Sequence, residues 1–103
     1  MTMAALLAPA MAGAETLQSD SLEAELSRRP VTMTSQDGDV IRGQQVYVTM
    51  RRRDGQPIGE GELREYVGFA ENAACRGRKV LVSLMVGVAA GAGKYEVLCA
   101  GES

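Results

Sequence analysis

The sequence predicts a small α+β domain in the order α-β-β-α-β-β, with an antiparallel sheet of about four strands, a helix packed on it and one disulfide. Three observations lead there. Residues 31–35 and 44–52 alternate apolar and polar side chains with the period of a strand that has one wet face. Residues 20–29 and 60–76 instead place leucine, valine and alanine at helical spacing, between acidic starts and basic ends. Two cysteines, Cys75 and Cys99, stand in a chain of 103 residues, a size at which the apolar core alone gives marginal stability.

The first fourteen residues resemble the end of a secretory leader. No charge occurs from Met1 to Ala14, an apolar run ends at Pro9, and Ala12 and Ala14 occupy the two positions of an A-x-A cleavage site. Cleavage there leaves Glu15 as the mature N-terminus. Met1-Thr2 supplies no basic n-region, which fits a natural start further upstream, and an Ala-rich leader without cleavage is the alternative. The run is shorter than the roughly 20 apolar residues of a membrane-spanning helix, so no transmembrane anchor is expected.

Export sets the reading of the cysteines. In an oxidising compartment the pair Cys75–Cys99 forms a disulfide, closing a loop of 25 residues and restraining the unfolded chain by about 3 kcal/mol. In a reducing compartment the same residues are buried thiols. Metal binding is not expected, because the chain has no histidine and no CxxC spacing.

The mature chain divides into an N-terminal segment, 15–30, carrying a short helix, and an α+β domain, 31–103. In the first, Asp20 caps a helix whose Glu23 returns a bond, Leu22 and Leu26 share a face, and Pro30 forbids continuation. "VTMTS" then forms a strand, and Asp37-Gly38 supplies the positive dihedrals of a hairpin turn. The return strand starts at Val40, with Gly43 as a bulge or twist point. Beyond it Val46, Val48 and Met50 point one way, and Tyr47, Thr49 and Arg51 the other.

A turn-rich stretch, 53–61, leads to the second helix, where Leu63, Val67, Ala70 and Ala74 form one face and Gly77 ends it. Gly68 inside that helix suggests close packing on the sheet. From Val80 to Val88 the chain is almost wholly apolar, which predicts a central strand covered on both sides, the N-terminal helix being one cover. "GAG" at 91–93 then turns the chain into a final strand, on which Cys99 faces the same way as Tyr95 and Val97.

Several chemistries are disfavoured by composition. The absence of histidine removes Ser-His-Asp and Cys-His nucleophile systems. "GVAAGAGKY" lacks both the early glycine and the following Ser or Thr of a phosphate-binding loop, and reads as a hairpin. A net charge of −2, without aromatics among the basic residues, argues against nucleic acid. No cofactor is expected.

The sharpest local feature is "MRRRDG". Arg51 and Arg53 are expected on the face of Tyr47, with Arg52 opposite, and the planar guanidinium suits carboxylate or phosphate. Charged side chains also guard sheet edges against aggregation, so the same run has a protective reading. The function expected is that of a small, non-catalytic, periplasmic or secreted binding or accessory protein. Its sheet face and the patch Tyr47, Arg51, Arg52 and Arg53 contact another protein or an anionic envelope component. The alternatives are a small hydrolase using Glu62 or Glu65 as acid or base, and a structural subunit of an envelope assembly.

Overall fold

In the computed structural model, which describes residues 14–101, five strands and one α-helix follow in the order β1 (Ala14–Gln18), β2 (Leu22–Thr34), β3 (Val40–Arg52), α1 (Val67–Cys75), β4 (Val80–Ala89) and β5 (Ala92–Ala100). Of the expected leader, only Ala14 lies within the described residues. The strands form one sheet in the order β1-β2-β3-β5-β4, with every neighbouring pair antiparallel. The β3-α1-β4 connection therefore spans β5, which inserts between the two parallel strands it joins.

The N-terminal helix expected at 20–29 is not formed. That segment is the first half of β2, and β1 pairs with it as a fifth strand. Leu22 and Leu26 satisfy a helical spacing and a period of two equally well. Ala24 decides between them: it is fully buried beside both leucines, while the alternate residues Glu25 and Ser27 are exposed. Ser19 closes the β1–β2 turn by accepting a bond from the Leu22 N–H at 3.1 Å, a role the sequence suggested for Asp20 at a helix cap. Among the described residues β1 pairs with Glu23–Ser27 of β2, and Pro30 lies beyond that pairing, where no ladder donor is asked of it on that side.

The β2–β3 hairpin turns through Ser35–Asp39, with Gly38 at φ +88°. The β4–β5 hairpin uses only Ala90 and Gly91, both at positive φ, in the manner of a two-residue loop of the primed type. Gly43 makes no bulge, and both its ladders are continuous. A Cβ there would stand 2.5 Å from the Cys99 carbonyl oxygen, so glycine answers a close backbone approach between β3 and β5.

One face of the sheet carries the core. Leu22, Ala24 and Leu26 from β2, Val46, Val48 and Met50 from β3, and Tyr95, Val97 and Cys99 from β5 meet Ile58, Leu63 and the alanines Ala70, Ala73 and Ala74 of α1. Those small side chains let the helix approach the sheet closely. The disulfide Cys75–Cys99, with its Cα atoms 5.3 Å apart, ties the last residue of α1 to the carboxyl end of β5. Gly68 contributes nothing to this approach, since nothing lies within 4 Å of where its Cβ would be. The buried Tyr95 hydroxyl donates to the Leu63 carbonyl at 2.8 Å, and burial, with a smaller effect of Tyr66, pushes its pKa up to about 12.

The carboxyl end of α1 is secured twice. Arg76 adopts a left-handed conformation, φ +53°, and its N–H bonds Asn72; Gly77 follows at φ +88°. Arg28 reaches across from β2 and donates to the carbonyls of Ala74 at 2.6 Å and Ala73 at 3.1 Å. Its guanidinium also holds the Glu15 carboxylate through two bonds of 2.8 and 3.2 Å, and Arg76 engages the same carboxylate. The sequence placed Arg28 at a helix carboxyl end. The chemistry is as expected, but the helix is α1.

Candidate binding face

With α1 on one side, the other face of the sheet has no covering layer among the described residues, and the fold is a slab with extents of 47 × 46 × 22 Å. The register gives this open face its rows. Glu23 of β2 stands opposite Arg51 of β3, and in the next row Glu25, Thr49 and Lys94 run across β2, β3 and β5. The third row is Ser27, Tyr47, Glu96 and Leu84, and the fourth Arg29, Gln45, Leu98 and Val82. Thus the face is charged over β2 and β3 and turns apolar towards β4.

Hydrogen bonds hold much of it in place. Arg29 donates to Gln45 at 2.8 Å, Gln45 donates in turn to Glu96, and Lys94 donates to Thr49 at 3.1 Å. Tyr47 rises from this network 44% exposed, flanked along β3 by Gln45 and Thr49. Glu23, Glu25, Thr49 and Arg51 line a small hollow of about 80 Å³. Among the described residues no hydrogen bond or ion pair engages the Arg51 side chain.

The arginine run divides. Tyr47 and Arg51 share the open face, as the alternation predicts. Arg52, the last residue of β3, turns to the opposite side and is held by Asp54 through bonds of 3.1 and 2.5 Å, with Glu62 at 3.5 Å. The Asp54 hydrogen bond raises the Arg52 pKa, and the same bond draws the Asp54 carboxyl below its ordinary range. Arg53 lies past the end of the strand, where alternation no longer applies, and its guanidinium donates to the Ser19 carbonyl at 2.8 Å. Arg52, Arg53, Asp20, Ser21, Asp54 and Tyr66 surround a separate hollow of about 240 Å³. Two of the three arginines therefore brace turns.

The carboxylates considered for hydrolysis sit elsewhere. Glu60 and Glu62 bound a short 3-10 turn ahead of α1, and Glu62 accepts the Gly59 N–H at 2.8 Å in a capping box. Its other oxygen faces Arg52 and the Tyr66 hydroxyl, each at 3.5 Å. Burial, then the nearby Glu62 charge, raises the Tyr66 pKa. Glu65 is exposed beyond this cluster.

The largest departure concerns β4. It was expected as a central strand covered on both sides; it is an edge strand, paired only with β5. Val82, Leu84, Met85 and Val86 are 42, 50, 44 and 63% exposed. The uncharged run 80–89 was the signal for this surface, but continuous apolarity reads equally as deep burial or as an open patch. No protein-family model, curated protein or solved structure matches the chain.

Proposed function

We propose that this protein is a small exported binding protein that engages another protein through the open face of its sheet, with Tyr47 and Arg51 at the centre of contact. The observation that carries this is the uncovered face itself. A sheet ordinarily buries its apolar side chains under a second layer, and here one face has α1 while the other leaves Tyr47, Val82 and Leu84 between 42 and 50% exposed. An exposed aromatic and, two rows along the same face, an arginine without a side-chain partner among the described residues are of the residue types that dominate binding energy at protein interfaces.

The mixed charge of the surrounding rows, with Glu23, Glu25 and Glu96 among Arg29, Arg51 and Lys94, favours a protein partner over an anionic envelope component. The hydrolase reading has less support: Glu62 is committed to the Gly59 N–H, Arg52 and Tyr66. Arg52 and Arg53, expected as contact residues, act in this proposal by bracing the turns around β3.

The test is capture of partners from the native envelope by the mature protein and by a Tyr47→Ser/Arg51→Ser double variant. Capture is expected to fall at least tenfold with an unchanged melting temperature, since both side chains are exposed. Equal capture by the two proteins overturns the proposal.

A further inference from the structure

We infer that β4 is a self-association edge, and that two copies of this chain pair β4 against β4 in an antiparallel register centred on Ser83, forming one continuous ten-stranded sheet. The inference is independent of what binds the open face.

The strand Val80–Ala89 contains no charge and no proline, two of the devices that protect an outer strand from pairing. It departs from regular pairing at two places, between Val80 and Val82 and between Met85 and Gly87, leaving Val82–Met85 as its straight part. Residues directly opposite each other in an antiparallel pair point to the same face. Two copies related by a twofold axis must therefore pair residues of equal parity, with the axis passing through a residue and its own copy. Inside the straight part, the two central choices are Ser83 and Leu84.

One observation selects Ser83. Its Oγ is buried and, among the described residues, has no hydrogen-bond partner, a state that carries an energetic cost. An axis at Ser83 brings two such hydroxyls together across the pair and lets each satisfy the other after a rotation about χ1. An axis at Leu84 would set each hydroxyl opposite Met85 instead. With the axis at Ser83, Val82 meets Leu84 of the second copy on the open face.

Charge agrees with the antiparallel direction. Exposed Lys79 precedes β4, and exposed Glu60 lines a groove of about 390 Å³ at the other end of the strand, with Arg64, Leu63, Met85, Val86 and Gly87. An antiparallel pair brings the Lys79 end of one copy towards the Glu60 end of the other, and the twofold repeats the approach. A parallel arrangement would bring lysine to lysine. The apolar patch is small by the standard of permanent interfaces, so association belongs at the weak, concentration-dependent end of the range.

Sedimentation velocity of the mature, oxidised protein across roughly 1–500 μM, the range of weak interfaces, is expected to show a monomer–dimer equilibrium. A Val82→Lys/Val86→Lys variant, altered at exposed positions only, should shift the dissociation constant at least tenfold upward with its melting temperature retained. Under mild oxidation Ser83→Cys should crosslink to itself. A mixture of Val82→Cys and Leu84→Cys should crosslink between the two proteins more than either alone, which keeps the register testable if the Ser83 variant folds poorly. A monomer throughout the range overturns the inference, as does a dimer indifferent to the lysines. Open polymers overturn it too, since these would mean β4 pairing with β1. A dimer that crosslinks elsewhere on β4 contradicts the register.

Discussion

Replacing Arg28 by methionine keeps most of the apolar stem and removes the fork that joins β1, β2 and α1. In the native protein that fork gives the helix carbonyls of Ala73 and Ala74 their donors and holds Glu15 in a bidentate pair. Hydrogen bonds to a charged group contribute about 1.5–3 kcal/mol each. The Arg28 side chain is 11% exposed, and its replacement withdraws the charged donor from both carbonyls. Glu15 is 26% exposed and retains Arg76, so its share is discounted. The loss expected for Arg28→Met is about 3–4 kcal/mol, a large part of the 5–15 kcal/mol of a small domain.

Urea unfolding followed by circular dichroism measures it directly, with a midpoint lowered by about 2–3 M at the slope usual for small proteins. Arg28→Lys, which keeps the charge without the fork, should fall between. Acid adds a second readout. The Arg28 hydrogen bond depresses the Glu15 pKa below its ordinary 4.5, with Arg76 adding to the effect. A depressed carboxyl stabilises the fold above its unfolded pKa, and that stability is lost as pH falls through the folded value. Wild type should therefore lose stability below about pH 4.5 more steeply than Arg28→Met, in which this cause is gone. A methionine variant within 1 kcal/mol of wild type, or one with an unaltered acid slope, would refute the reasoning.

Three further outcomes are expected. Gly43→Ala sets a methyl against the Cys99 carbonyl at 2.5 Å, where the neighbour is backbone and cannot step aside, and should cost about 1–3 kcal/mol by thermal denaturation. Gly68→Ala meets open space within α1 and should stabilise by about 0.5–1 kcal/mol in the same assay. Replacing Cys75 and Cys99 together by alanine releases the closed loop and should remove between about 3 and 4 kcal/mol, read as a drop in urea midpoint.

The hairpins, the second half of the second helix and the disulfide were legible in the sequence because their signals are local; the helix expected over 60–76 begins only at Val67, after a 3-10 turn at Glu60–Glu62. Asp37-Gly38 specifies its turn in itself, the second turn was expected at 91–93 and lies at Ala90-Gly91, and Cys75 with Cys99 allowed a single pairing. The start of the chain misled because Leu22 and Leu26 are four apart, a spacing common to both periods; only the burial of Ala24 against a distant helix separates them. Arg28 shows the same limit, since its partners at Ala73 and Ala74 are 45 and 46 residues away. On the candidate face, the alternation correctly put Tyr47 and Arg51 together. It misplaced Arg53, because the end of β3 at Arg52 is set by its pairing with Leu22. The position of β4 at the edge was not readable, because strand order is decided by how α1 carries the chain across β5.

The account rests on the open face as the surface of contact. A photocrosslinking residue placed at Thr49, in the middle of that face, or at Asn72, on the outer side of α1, tests this in the native envelope. Transfer of the crosslink to a discrete protein from position 49 and not from 72 is the result expected. Crosslinking from 72 with none from 49 would contradict it.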